Sequence, residues 1–172
     1  MNFEFKEHHK ECAKRVEGSF LDKTGIEVIE MVQGSGITYT CIGTLEILAR
    51  PSDGTKVLVL FDRLDGLHQF EYSMREWGID FGDNIQLSTT KKAAQSNLAI
   101  YDIIYCFDLQ DKSSFVEGLV GNFAGSIFFW SSRIGYSRQL RHQYGLDKEP
   151  IFRYSLSHAI ASAIQEHEKA NK

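Results

Sequence analysis

The sequence predicts an α+β fold: an N-terminal helix, a five- or six-stranded mostly antiparallel meander, and C-terminal helices packed on one face of the sheet. Apolar residues recur at every second position in several segments of 26–109, which is the period of a strand. They recur every three or four positions in 1–20 and 114–170, which is the period of a helix. With 172 residues, 42% of them hydrophobic, the chain has the size and composition of one domain spanning 1–172.

Residues 1–20 predict an amphipathic helix. Apolar or weakly polar side chains lie three or four positions apart on one face, whereas lysines and glutamates occupy the other face. The residues of the first face are Phe5, His9, Cys12, Val16 and Phe20. Glycines then punctuate the chain and leave room for a short segment over 26–32.

The meander is predicted from runs rich in β-branched and aromatic residues that are separated by turn residues. The first strand covers 37–49, where Ile37, Tyr39 and Cys41 alternate with threonines. Turn signals follow at Pro51-Ser52-Asp53-Gly54 and at Asp65-Gly66. Short connections between sequential strands favour antiparallel pairing, and the other predicted strands are 56–61, 67–72, 85–89 and 98–109.

The last third of the chain changes to a helical period. Ser114 and Glu117 fit a capping box, in which each side chain accepts a free amide near the helix start. The segment behind it suits a helix, and the alternative is that 123–130 forms a sixth strand. A second helix is predicted over 134–144, closed by Gly145, and 151–154 is short and extended. A final helix is predicted with Ser157 as its cap and with Leu156, Ile160, Ala163 and Ile164 on one face.

Charge is distributed unevenly along the chain. Residues 53–83 hold seven acids against three bases, and residues 112–146 hold four bases against one acid. A surface of one sign attracts partners of the other sign. We therefore expect an edge of the meander to bind a basic protein partner through its acids and one tryptophan: Asp62, Asp65, Glu71, Trp77, Asp80 and Asp83.

This expectation makes a non-catalytic, cytosolic protein-binding protein the leading functional hypothesis. The partner would be a basic toxin such as a nuclease, with the chain as its immunity or inhibitor protein, or a secreted client, with the chain as its dedicated chaperone. A solvated sheet face would explain the same acids without a partner. The net charge of −4 argues against general nucleic-acid binding, and the sequence leaves a homodimer open.

The basic segment is the alternative site. Arg133, Arg138, Arg141 and His142 could bind a phosphorylated or nucleic-acid ligand, because residues three or four apart on a helix share one face. The chain would then be an enzyme or a binding protein that acts on this ligand. A third hypothesis is a small-ligand sensory domain with its pocket between the sheet and the helix at 115–130. The Gly34-Ser35-Gly36 loop is not predicted to bind phosphate, since it lacks the following lysine and a strand–loop–helix context.

The sequence predicts no catalytic residue, no cofactor and no metal. His8, His9 and Cys12 could share an ion in pairs, but zinc needs three or four ligands. Cys12, Cys41 and Cys106 contain no CxxC pair, so we expect reduced thiols and a cytoplasmic location. The first residues lack the apolar core of a secretory signal, and no run has the length and apolarity of a membrane span, so no membrane association is expected.

Overall fold

Six parallel strands and seven α-helices make up the described part of the chain, which in this computed structural model comprises residues 5–21, 25–49, 54–79, 82–110 and 113–170. The fold is α/β, because strands and helices alternate along the sequence. The strands are β1 (Ile26–Met31), β2 (Val57–Phe61), β3 (Ile85–Thr89), β4 (Ile103–Phe107), β5 (Ser126–Ser131) and β6 (Phe152–Tyr154). The helices are α1 (Glu7–Leu21), α2 (Ile37–Leu48), α3 (Leu64–Glu76), α4 (Thr90–Ala93), α5 (Ser114–Asn122), α6 (Tyr136–Tyr144) and α7 (Leu156–Ala170).

The prediction of an α+β fold with an antiparallel meander is wrong. Every pair of neighbouring strands is parallel, and the order across the sheet is β3-β2-β4-β5-β1-β6. Parallel neighbours need crossover connections, which usually contain a helix. Two of these crossover helices, α2 and α3, occupy segments that the sequence pattern assigns to strands.

Residues 37–49, predicted as the first strand, form α2 instead. Most of this helix is buried, because it lies on the sheet and α1 packs against it. Burial on several sides removes the polar face that marks an amphipathic helix, so the β-branched residues indicate a strand. Thr40 and Thr44 donate their hydroxyl protons to the carbonyl oxygens of Gly36 and Cys41, at 3.0 and 2.7 Å. These hydrogen bonds allow threonines inside a buried helix.

Residues 67–72, predicted as a strand after a turn, form the middle of α3. The buried side chains of this helix are Phe70 and Met74, four positions apart, and Leu67 packs beside them three positions earlier. That spacing is helical. The Asp65-Gly66 pair, predicted as the turn, lies in the first turn of the helix.

The region 114–170 is not purely helical. Residues 126–131 form the central strand β5, which confirms the alternative of a sixth strand and makes the helical assignment of 123–130 wrong. All six residues of β5 are buried, so this strand lacks the alternation of a half-exposed strand. The cap of α5 is Ser113 rather than Ser114, since the Ser113 hydroxyl accepts the Val116 amide at 3.1 Å.

Several other predicted elements are confirmed, namely α1, β2, β3, a shortened β4, α6 and β6. The last helix differs from its prediction, because it begins before Ser157, and its apolar face points away from the core. Leu156, Ile160 and Ile164 are 63%, 52% and 55% exposed, whereas Ala159 packs against the core. Within the described ranges, no helix combines the length and the apolarity that crossing a membrane requires.

Helices cover both faces of the sheet. One apolar core includes side chains of α1, α2 and α3, and a second core, on the opposite face, includes side chains of α4, α5 and α6. The helices that follow the neighbouring strands β2 and β4 therefore diverge to opposite faces, as do those that follow β1 and β5. Such divergence opens a crevice at the carboxyl ends of the strands.

A buried carboxylate holds the region around β1 together. Glu30, in β1, is fully buried, and its oxygens accept the backbone amides of Ser137 and Gly135 at 2.8 and 3.0 Å. The Arg153 guanidinium, in β6, donates to the same carboxylate at 2.8 Å. Burial by itself would raise the pKa of Glu30, but these amides and the guanidinium lower it. Glu30 thus joins β1, β6 and the start of α6.

We expect Glu30→Gln to lower the free energy of unfolding by about 2 kcal/mol at neutral pH, because charge-assisted hydrogen bonds are replaced by weaker ones. The pKa of Glu30 is lower in the folded state than in the unfolded state. Its stabilising contribution is therefore complete above the unfolded-state pKa and is lost as pH falls through the folded-state pKa. Urea denaturation between neutral and acid pH should show the difference between the two proteins shrinking in acid.

The matched control is Glu46→Gln, since Glu46 is exposed on α2. That substitution should leave unfolding unchanged at both ends of the pH range. Equal effects of the two substitutions would contradict the role of Glu30.

Candidate functional site

A cavity opens at the carboxyl ends of β2 and β4, where the following helices diverge. Its volume is about 320 Å³, within the range of small-molecule sites. The end of β2 and the first half of α3 form one wall, and the loop after β4 forms the other. Thr38, in the first turn of α2, also lines the cavity.

Three phenylalanines form the floor of the cavity. Phe61 ends β2, Phe107 ends β4 and Phe70 lies in α3. Their ring centroids are 5.2, 5.3 and 5.7 Å apart, so the rings pack against one another. The rings of Phe61 and Phe70 are buried, whereas Phe107 is partly exposed. A bound molecule can therefore contact the Phe107 ring.

The rim of the cavity is polar and acidic. Three carboxylates and one guanidinium line it, which gives three negative charges against one positive charge. An acidic concave surface raises the local concentration of ligands of opposite charge. The polar residues of the rim are Thr38, Asp62, Arg63, Asp65, Gln69, Asp108 and Gln110.

Two of the rim carboxylates hold loops together. Asp62 accepts the backbone amide of Gln110 at 2.5 Å, which ties the end of β2 to the loop after β4. Asp108 accepts hydrogen bonds from the Ser131 hydroxyl at 3.1 Å, the Ser132 amide at 3.2 Å and the Ser132 hydroxyl at 2.8 Å. The loops after β2, β4 and β5 are thereby fixed relative to one another.

Asp108 also has an unusual backbone conformation. Its φ of 50° lies in the left-handed region, and it is the one non-glycine residue of the described chain with a positive φ. Aspartate and asparagine tolerate this conformation better than most residues do. The left-handed turn ends β4 and directs the chain toward the rim of the cavity, and conformations of this kind cluster at functional sites.

The remaining rim groups are available to a ligand. Within the described ranges, Asp65 and Arg63 form no side-chain hydrogen bond or ion pair, and both are exposed. The side-chain amides of Gln69 and Gln110 and the Thr38 hydroxyl likewise have no partner there. The cavity therefore offers a free carboxylate, a free guanidinium and neutral hydrogen-bonding groups above an aromatic floor.

The Gly34-Ser35-Gly36 loop lies at the other point of divergence, between β1 and β5. The prediction that it lacks a strand–loop–helix context is wrong, because it connects β1 directly to α2. The loop still lacks the lysine of a phosphate loop. In dinucleotide-binding folds an acid at the end of the adjacent strand binds the ribose. Here β5 and β4 lie between β1 and β2. The end of β2, where Asp62 lies, is therefore three strand spacings, or about 14 Å, from the end of β1.

The predicted acidic partner-binding residues are spread over the molecule. Asp62 and Asp65 lie together in the cavity. Asp83 is exposed just before β3, at the amino edge of the sheet and therefore opposite Asp62. Asp80 lies outside the described residues. Of the three described carboxylates, the structure therefore brings Asp62 and Asp65 together and places Asp83 at the other edge.

The other two predicted residues lie along α3 and at its end. Glu71 forms an ion pair with Arg75, one turn further along α3, at 2.7 Å. Trp77 follows the helix and stacks on Tyr39 with a centroid distance of 4.9 Å. The tryptophan also packs against the core, so it covers the edge of α2. Neither residue lines the cavity.

The predicted basic residues lie on α6 and just before it. The Arg133 guanidinium lies over a tyrosine ring, 5.4 Å from its centroid, and Arg141 pairs with Asp147 in the following loop. Arg138 and His142 are exposed on the helix. Among the residues that the structure describes, no ion pair joins this group to the cavity acids.

The residues considered as metal ligands have other partners. The Nε2 atoms of His8 and His9 lie 3.1 and 2.7 Å from the Ser35 carbonyl oxygen, and burial lowers the pKa of both histidines. In the described ranges, no cluster of three or more histidine, cysteine or acidic side chains is placed to hold a metal ion. All three cysteines are free and buried, and burial raises the pKa of each thiol, which makes them poor nucleophiles.

Of the described residues that line the cavity, sequence reasoning predicted Asp62 and Asp65 and missed nine. The nine are Thr38, Phe61, Arg63, Gly66, Gln69, Phe70, Phe107, Asp108 and Gln110. One signal could have found part of the site. Two buried apolar runs, 57–61 and 103–107, are each followed directly by an aspartate. If both runs are assigned to parallel strands, their aspartates fall at the same edge of the sheet.

Comparison with known proteins assigns no family. Neither a scan against models of protein families nor a search of curated proteins finds a match for this chain. Function is therefore inferred from the chemistry and the position of the cavity.

We expect Asp108→Ala to lower the free energy of unfolding by about 3 kcal/mol. It removes the acceptor of three hydrogen bonds and places alanine in a left-handed conformation. Asp108→Asn should cost about 1 to 2 kcal/mol less, because asparagine tolerates this backbone and keeps one acceptor oxygen. Chemical denaturation measures both, with the exposed Asp83→Ala as the control that should remain near zero. Equal destabilisation by the two Asp108 substitutions would refute the conformational part of this account.

Proposed function

We propose that this chain is a ligand-binding domain whose cavity at the carboxyl ends of β2 and β4 holds a small molecule. The observation that carries the proposal is a cavity of about 320 Å³ at a point where consecutive helices diverge to opposite faces of a parallel sheet. Open α/β sheets bind their ligands in this crevice. The hypothesis of a small-ligand domain is thereby kept, with its pocket moved from the helix at 115–130 to the strand ends.

The chemistry of the lining favours binding over catalysis. Neither histidine nor cysteine is among the residues that line the cavity. Both oxygens of Asp108 accept hydrogen bonds from the loop after β5, so this carboxylate supports the walls. Nucleophilic catalysis needs a nucleophile beside a base, and the lining residues include no such pair.

The first test fills the cavity. Gln69 lines the cavity, whereas the adjacent His68 is exposed on the same helix and does not line it. We expect Gln69→Trp to abolish the thermal stabilisation that a bound metabolite gives, and His68→Trp to retain it. A ligand at 100 times its Kd stabilises a protein by about 2.7 kcal/mol, which scanning fluorimetry against a metabolite panel detects.

Two results would count against the proposed function. One is a panel in which no compound stabilises the unmodified chain. The other is a stabilising compound whose effect is the same in the Gln69→Trp and His68→Trp variants, because its site would then lie elsewhere.

A second candidate function is binding of a basic protein partner. The observation that favours it is the exposed and unpaired Asp65 carboxylate at the mouth of the cavity, where a lysine or arginine side chain could enter. In this form the partner hypothesis concentrates on Asp62 and Asp65 rather than on all six residues of the acidic segment.

The partner hypothesis predicts a difference between two charge reversals. Asp65→Lys should slow association with a basic partner at least about tenfold at low salt, because it reverses the charge at the contact. Asp83→Lys changes the net charge equally but lies at the opposite edge, so it should have a much smaller effect. Surface plasmon resonance at about 50 and 300 mM salt measures both, on partners recovered from cell lysate. Equal slowing by the two reversals would show long-range attraction without docking at the cavity.

We also propose that the protein works in the cytoplasm. The state of the cysteines supports this location, because all three thiols are free and buried. Proteins of reducing compartments keep such thiols unpaired.

A further inference from the structure

The cavity contains both an apolar and a charged surface for one ligand. The partly exposed ring of Phe107 forms the apolar surface, and Asp65 presents a carboxylate without a partner in the described ranges. One oxygen of Asp62 accepts the Gln110 amide, and the other is not used by that hydrogen bond. Carboxylates beside an apolar side chain suit a ligand that carries a positive charge on an apolar body.

The net charge of the cavity also favours a positively charged ligand. Its three carboxylates and one guanidinium sum to two negative charges. Two helix starts, those of α2 and α3, also border the cavity, and each contributes about half a positive charge. A negative balance of about one charge remains. An anionic head group would therefore meet repulsion, whereas a cationic head group would meet attraction.

From this geometry we propose that the cavity selects a cationic head group, an amine or a guanidinium on an apolar body, over neutral and anionic ligands of the same shape. Asp65 binds the head group, Asp62 supports it and Phe107 contacts the apolar body. This assignment rests on the proposed function of the same cavity. The head group belongs either to a free small molecule or to a lysine or arginine side chain of a protein, since both present the same chemistry.

Three matched probes test the proposal. Benzylamine, benzyl alcohol and benzoate share a phenyl ring and carry a positive, a neutral and a negative head group. Nuclear magnetic resonance titrations of the full chain would follow the side-chain amides of Gln69 and Gln110, together with the backbone amide of Gly66, all of which line the cavity. We expect benzylamine to bind about fivefold more tightly than benzyl alcohol, and benzoate to bind most weakly.

Substitutions of exposed residues test which charged side chains cause the preference for benzylamine. Asp65→Asn should reduce the affinity for benzylamine by about fivefold and change that for benzyl alcohol by less than about twofold, because only the amine carries a charge. Arg63→Gln removes the opposing positive charge, so it should raise the affinity for benzylamine about twofold. The control Asp83→Asn, at the other edge of the sheet, should change neither affinity.

The outcomes distinguish a failure of the cation assignment from a failure of the proposed function. If benzyl alcohol or benzoate shifts the cavity amides with an affinity equal to or greater than that of benzylamine, the cation assignment is overturned and the cavity remains a binding site. If none of the three probes shifts these amides, the proposed function fails and this inference fails with it.

A second pair of probes distinguishes the two sources of the head group. Butylguanidinium and a blocked tripeptide with a central arginine carry the same head group and the same single positive charge. Tighter binding of the tripeptide supports a protein side chain as the natural occupant, because peptide backbone then adds contacts outside the cavity. Tighter binding of butylguanidinium supports a free small molecule. Shifts of the cavity amides by neither compound would overturn the assignment for guanidinium ligands.

Discussion

The carboxyl edge of the sheet depends on one repeated interaction, in which a carboxylate at or near the end of a strand accepts a backbone amide of a neighbouring segment. Glu30 accepts amides at the start of α6, Asp62 accepts the Gln110 amide and Asp108 accepts the Ser132 amide. A parallel sheet places all its loops of one kind at one edge, and those loops contain amides without strand partners. Because groups of the protein itself fix these loops, ligand binding does not carry the full entropy cost of ordering them.

The existence of most elements could be predicted from the sequence, but their arrangement could not. The apolar run of β2 and the alternating Ile85 and Leu87 of β3 each follow turn residues, and α1 has the polar face of a surface helix. In contrast, α2 lies between the sheet and α1, and a helix buried on several sides has no such face. Once 37–49 is assigned to a strand, no helix remains to cross between β1 and β2. The assignment of 67–72 to a strand likewise removes the helix between β2 and β3. An antiparallel meander then follows from the short connections, so two local errors determined the wrong topology.

Part of the candidate site could be predicted from the local sequence, and part could not. Asp62 and Asp65 were predicted as binding residues because they lie in an acidic segment, and they do line the cavity. The sequence pattern places Asp108 inside a long predicted strand over 98–109. In the structure, the left-handed backbone of Asp108 ends β4 at Phe107. No local sequence pattern distinguishes an aspartate that continues a strand from one that ends it. The partners of Asp108 lie 23 and 24 positions later in the chain, so only the strand order shows that they meet.

The structure also separates the acids of the cavity by what they already bind. Both oxygens of Asp108 accept hydrogen bonds, one oxygen of Asp62 does so, and Asp65 has no partner in the described ranges. A carboxylate that accepts several hydrogen bonds keeps its negative charge but has fewer oxygen lone pairs left for a ligand. Asp65 is therefore the cavity carboxylate most available for direct contact with a ligand, whereas Asp62 and Asp108 contribute negative charge from fixed positions. An acidic run in a sequence is thus not one surface, because folding uses some of its charges to hold loops and leaves others for a ligand.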